Sequence, residues 1–298
     1  MPLFKKKTSL VHHITYMGIM TTINLIFVLL ARFAPYFMFL LVIILPFASA
    51  VVSYFCLKRY FIIYAVASIG VCFIFGEPAE TLFYVLPAIL SGFVIGLLLE
   101  KKIHPFWMVL LSSLINAALT FAYIPLINLI INDNIVERML VLFGLNDFAY
   151  KIELTYLFVC LVSFVQCILT NYVMMADIKK IGIETNTRID SFYPYIIGLE
   201  VSVVLSLGLS FIYAPLGLFF AAVSLYFTAF LLVDLLLSKR VLIYILLVLS
   251  LLIFIILFAV FYQQIAKPFG IILVLIFATL ISVLSFVNNY LLKRTSNI

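Results

Sequence analysis

The feature that most limits this chain is a near-unbroken succession of apolar stretches, each about the length that crosses a bilayer and each closed by a basic pair or a Pro/Gly break. A helix needs about 20 apolar residues to span the hydrocarbon. Stretches of that kind fall at 11 to 31, 35 to 57, 60 to 76, 80 to 99, 105 to 131, 154 to 177, 192 to 213, 216 to 237, 241 to 262 and 268 to 292. With 67% hydrophobic and 10% charged residues, no water-soluble fold can hide that much apolar surface. The reading is all-α, a polytopic membrane helix bundle of about ten spans. The third stretch is short and the seventh–eighth boundary rests on "YAPLG", so a count of eight stays open.

The basic residues set an orientation, because Lys and Arg in short loops favour the cytoplasmic side. With the N-terminus inside, that side carries Lys5, Lys6, Lys7, Lys58, Arg59, Lys101, Lys102, Lys179, Lys180, Arg188, Lys239, Arg240, Lys293 and Arg294, against Arg32, Arg138, Lys151 and Lys267 outside. The alternation holds at every loop, so both termini are expected in the cytoplasm and the protein in the cell (plasma) membrane. The net charge of +6 is then accounted for by topology and anionic lipid, without nucleic acid. The first apolar stretch is too long for a signal h-region, and "ASA" at 48–50 lies inside the second span, so a retained first helix is expected.

Sequence signatures of catalysis are thin: there is no H-E-x-x-H, G-x-S-x-G or Walker loop. No enzyme, cofactor or metal site is expected. His12 and His13 are adjacent and point to different helix faces, which suits headgroup contact at the edge of the first span. Cys56, Cys72, Cys160 and Cys167 have no C-x-x-C spacing and read as small apolar packers.

Small residues mark close helix approach, the main source of helix association in lipid. "AILSGFVIG" sets Ala88, Gly92 and Gly96 four apart, and "GLEVSVVLSLGLS" does the same with Gly198, Ser202, Ser206 and Ser210. These read as internal packing, whereas Gly18 and Thr22 in "GIMTT" suit either packing or a partner subunit. Among polar residues at membrane depth, Glu200 is the clearest, either a proton or cation site or a protonated carboxyl bonded to another helix. Asp234 is close enough to Lys239 and Arg240 to snorkel toward the interface. Asn24, Asn116, Gln166 and Asn171 read as interhelical hydrogen-bonding residues.

Three stretches carry a family resemblance. "FGEPAETLFYVLPAILSGFVIGLLLEKKIHPFW", "NYVMMADIKKIGIE" and the basic-ended "FVNNYLLKR" resemble the corresponding regions of the YybS-like multi-pass membrane proteins. That family in turn resembles, over its first six spans, the substrate-binding S components of energy-coupling-factor vitamin transporters. The resemblance implies a six-helix membrane domain over 1–190, followed by a four-helix extension over 191–298. It implies capture of a small-molecule solute beneath outer loops, and docking of a membrane coupling protein with its ATPases through small residues of the first span. Gly18 and Thr22 stand at that docking place, with Thr where the family commonly has Ala.

On this chain the outer loops are "RFAPYF", "GEPAET" and the segment 131–156, which put forward Arg32, Glu77, Glu80, Asp133, Glu137, Arg138 and Asp147 as solute-facing residues. Within the last segment, 132–147 is amphipathic. Ile135, Met139, Leu142 and Phe143 share a face, Asn134 with Glu137 forms an N-x-x-E start, and Gly144 offers a stop. It reads as an interfacial helix, either a lid over the first six spans or a connector on the lipid surface. A solute-binding subunit, a non-transport scaffold for a partner protein and a proton- or lipid-coupled transporter using Glu200 are the three functions these features allow.

Overall fold

The computed structural model describes residues 6, 9–34, 38–76, 81, 85–131, 134, 137, 151–181, 191–237, 241–261 and 270–296. Among them run ten α-helices: α1 Leu10–Phe33, α2 Met38–Phe55, α3 Phe61–Phe75, α4 Leu86–Glu100, α5 Pro105–Ile131, α6 Lys151–Ile181, α7 Tyr193–Ser210, α8 Ala214–Leu237, α9 Val241–Phe261 and α10 Gly270–Ser296. Six segments of the described chain are helical, long and apolar enough to cross a membrane: Leu10–Phe33, Lys58–Phe75, Pro105–Leu126, Thr155–Ala176, Tyr193–Ser210 and Leu216–Leu237. The short third stretch reaches that length because a 3-10 turn over Lys58–Tyr60 leads straight into α3. At "YAPLG" the chain does break, with a turn at Phe211 and Ile212 between α7 and α8.

The chain divides into two compact units, Met1–Arg188 and Ile189–Ile298. In the first, α1 packs on α2 and α3, α2 on α4 and α6, and α5 on α4 and α6. In the second, α8 packs on α7, α9 and α10, and α10 also meets α7 and α9.

Polarity is distributed inside out relative to a water-soluble protein. Ile62, Val66, Ile74, Val204, Ile245 and Ile256 are more than half exposed, while Asn24, Ser49, Ser68, Ser91, Ser112, Ser113 and Ser285 are fully enclosed. Lipid explains both halves. It accepts an aliphatic surface without cost, and it leaves side-chain hydroxyls and amides only protein partners. Several of the enclosed hydroxyls accordingly donate to a carbonyl of their own helix, as Ser112 does to Met108 at 2.7 Å and Ser163 to Val159 at 2.9 Å.

Helix ends follow local chemistry. Ser9 caps α1 by accepting from the His12 N–H at 3.3 Å. α4 ends in a Schellman motif, with the Ile103 N–H on the Leu98 carbonyl and the Lys102 N–H on the Leu99 carbonyl. Lys102 takes the left-handed position usually given to glycine, at φ 53. That strain, about 1–2 kcal/mol, is partly offset by a cation placed at a helix C-terminus. The His104 imidazole then accepts the Phe106 N–H at 3.2 Å and starts α5.

Candidate functional site

The small-residue stripes resolve into close backbone contacts. Ser49 donates to the Ile89 carbonyl at 2.6 Å and Ser53 to the Phe93 carbonyl at 3.0 Å, one turn further along both helices. Between these bonds Gly92 faces the carbonyl of Pro46, and a Cβ on Gly96 would stand 2.5 Å from the Ala50 carbonyl oxygen. On α7, Gly198 lies under the Phe227 ring and Ser206 donates to the Gly217 carbonyl at 2.8 Å. These stripes are internal packing. Gly18 differs, because nothing lies within 4 Å of where its Cβ would be. Both it and Thr22 are exposed, and the Thr22 hydroxyl donates to the Gly18 carbonyl at 2.9 Å.

At the far end of the first unit, Arg32 donates from Nη1 to the Phe75 carbonyl at 2.9 Å. Thr81 donates to the Cys72 carbonyl at 3.1 Å, and the Gly76 N–H shares that acceptor. Orphan carbonyls of the last α3 turn are thus met, and the C-terminal ends of α1 and α3 are pinned together. Arg32, put forward as solute-facing, is exposed and also bonds the C-terminal turn of α3. Glu137 is exposed, and its N–H donates to Asn134 Oδ1 at 3.4 Å, the contact expected of an N-x-x-E start. Glu77, Glu80, Asp133, Arg138 and Asp147 lie outside the described residues, as do Ile135, Met139, Leu142, Phe143 and Gly144.

Beneath that end a polar seam runs between α1 and α3. Asn24 donates to the Tyr64 hydroxyl at 2.9 Å, and the Thr21 and Ser68 hydroxyls meet at 3.0 Å. Asn24, Tyr64 and Ser68 are fully enclosed, and Asn24 Oδ1 has no hydrogen-bond partner. An enclosed amide oxygen of this kind costs about 1–3 kcal/mol relative to a satisfied one. On α5 and α6, Asn116 donates to Gln166 Oε1 at 2.8 Å, and Asn171 donates to the Pro105 carbonyl at 3.4 Å. The buried amides therefore do bridge helices as read from the sequence.

Glu200 stands at the edge of the α7 packing face, half-buried between enclosed Leu199 and exposed Val201. Asp234 departs from the snorkelling expectation. It is half-buried, and its Oδ2 is enclosed without a hydrogen-bond partner. Ser285 Oγ and Asn288 Oδ1 on α10 are enclosed and unpartnered as well, which hydropathy patterning passes over because Ser and Asn are routine in such helices. His13 corrects another reading: it is enclosed, its ring 5.1 Å from that of Tyr60, so only the exposed His12 is free to meet headgroups. No group of three metal-ligating side chains occurs among the described residues. The four cysteines are buried and form no disulfide.

At the opposite end of the first unit the charges converge. Lys6 Nζ lies 2.6 Å from Glu100 Oε1 and Lys58 Nζ lies 3.0 Å from Glu100 Oε2. These two ammonium groups, Lys6 first, hold the Glu100 carboxyl below the usual carboxylate range. Lys6 also stands 5.4 Å from the Tyr54 ring centroid, and Arg59 4.7 Å from that of Tyr60. A recess of about 520 Å³ opens here, lined by Lys6, Phe55, Cys56, Leu57, Lys58, Arg59 and Glu100. In the sequence Lys6, Lys58 and Arg59 served only to orient the spans. Their convergence follows because the start of α1 and the ends of α2 and α4 share one side of the bundle.

Set against protein-family models, curated proteins and solved structures, the chain matches none of them.

Proposed function

We propose that the protein is a solute-binding or uptake subunit of the plasma membrane, working in the manner of an energy-coupling-factor S component, with its termini in the cytoplasm. The observation that carries this reading is the enclosed, unpartnered Asn24 Oδ1 within the α1–α3 seam. The seam lies between the Arg32–Phe75 contact at one end of α1 and α3 and the Lys58–Tyr60 turn at the other. A hydrogen-bond acceptor left open at membrane depth is costly and is a functional candidate by default. A solute bearing a donor would satisfy it once α1 and α3 part. The open face of Gly18 and Thr22 adds support, since a small-residue notch on an outer helix suits a coupling protein.

Thermal unfolding of the protein in nanodiscs, repeated with each of a panel of vitamins and metabolites, tests the proposal. A bound solute raises the unfolding temperature by mass action, and Asn24→Leu removes that rise while the unliganded protein stays folded. A rise of equal size in Asn24→Leu would take the site away from the seam. No rise with any solute would leave the scaffold function in its place.

A further inference from the structure

The recess at the basic end is not used by that function. Its charges do not cancel: Lys6, Lys58 and Arg59 face one carboxylate, Glu100. Each Glu100 oxygen holds a different lysine, so both ammonium groups are positioned at the rim and keep further donors, since an ammonium has three. The Lys6 and Lys58 side chains remain 58% and 52% exposed, within reach of a ligand. The Arg59 guanidinium is stacked on Tyr60 rather than paired with the acid.

The remaining lining is apolar, from Phe55, Cys56 and Leu57. Directly after the 3-10 turn, α3 presents Ile62, Ile63 and Val66, which are 70%, 55% and 66% exposed. A cationic hollow thus continues into an aliphatic strip on a helix that is apolar enough to lie in hydrocarbon. A water-soluble acidic peptide would match the first part and not the second. A molecule with an anionic head and aliphatic tails matches both.

We propose that this recess binds the phosphate of an anionic phospholipid headgroup, with Lys6, Lys58 and Arg59 as its cationic wall and the Ile62–Val66 strip against the acyl chains. Free inorganic phosphate shares the headgroup chemistry and lacks the tails, so the two sources are separable. The recess shares no lining residue with the seam and its test leaves Asn24 unchanged, so its failure would leave the proposed function untouched.

The test is a native mass-spectrometric titration of the detergent-purified full chain with phosphatidylglycerol, phosphatidylcholine or inorganic phosphate. Phosphatidylglycerol should bind more tightly than phosphatidylcholine, and Arg59→Gln should weaken phosphatidylglycerol binding about fivefold, the effect of one basic residue at an anionic surface. Lys239→Gln, in the second unit, is the control for lost charge in general and should leave the affinity unchanged. Arg59→Gln leaves both Glu100 ion pairs intact, so the test stands even if Lys6→Gln or Lys58→Gln disturbs folding. Equal binding of the two lipids, equal weakening by Lys239→Gln, or displacement of phosphatidylglycerol by inorganic phosphate at equal concentration would each overturn the proposal.

Discussion

Gly92 sits directly against the carbonyl of Pro46, so the α2 and α4 backbones approach with no side chain between them. Pro46 lies inside α2, where it removes a helix N–H and would ordinarily break or kink the helix. The flanking bonds from Ser49 and Ser53 to α4 carbonyls hold the pair together at that point.

Gly96→Ala should therefore cost about 1–3 kcal/mol, as overpacking of a close contact does, because the neighbouring atoms are backbone and the short Ser53 side chain. Gly18→Ala, with open space around it, should stay within about 0.5 kcal/mol of the parent. Unfolding in a denaturing detergent series measures both. Equal costs would mean that the α2–α4 contact relaxes freely.

Gly18→Leu should leave the protein folded and inserted, since a Cβ at this exposed position would meet nothing within 4 Å. If the face docks a coupling protein, the same substitution removes that protein from pull-downs. Loss of folding would show that the face is covered within the protein itself.

The Asn24–Tyr64 bond is open to a double-mutant cycle with Asn24→Leu and Tyr64→Phe. Interhelical hydrogen bonds in membrane proteins average about 0.6 kcal/mol, with a maximum of about 1.7 kcal/mol, and the coupling energy should fall in that range. A coupling near zero would mean that each group finds another partner when released.

The Glu100 ion pairs should show in the acid stability of the protein. The folded state holds this carboxyl below its ordinary value of about 4.3. The unfolded chain therefore takes up the proton first as pH falls. The stabilisation is fully present above about pH 5 and is lost as pH drops through the lower, folded-state value. The unfolding-temperature difference between the parent and Glu100→Gln should shrink across that acid range. A difference that does not change with pH would remove the ion pairs as its source.

Single cysteines placed after Lys58 and after Lys101, in a background lacking Cys56, Cys72, Cys160 and Cys167, should behave alike toward an impermeant thiol reagent, because the Lys58–Glu100 pair puts both loops at one end. With that end in the cytoplasm, both resist the reagent in intact cells and a cysteine near Asp147 reacts. Labelling of Lys58 without Lys101 would contradict the ion pair itself.

Chemistry that acts within one helix was open to reading along the chain. Apolar length placed the helices to within a few residues at most ends, because the cost of exposing an unsatisfied backbone in hydrocarbon leaves the helix as the only spanning form available to such stretches. The four-residue spacing of Gly92 with Gly96, and of Gly198 with Ser202, showed close approach for a similar reason: a small side chain is a local property. The Asn134–Glu137 start is equally local, a matter of two residues three apart.

What pairs with what was settled only in three dimensions. Nothing in the order of residues joins Lys6 to Glu100, 94 positions apart, and the open space around Gly18, read as either a packing or a partner face, shows only in the fold. The rotation of each helix about its axis decides these matters. In lipid, hydropathy barely constrains that rotation, since inward and outward faces are both apolar. His13 against Tyr60 and the enclosed, unpartnered oxygen of Asp234 depart from their sequence readings for that one physical reason: the rotation that hydropathy leaves open turned these side chains inward.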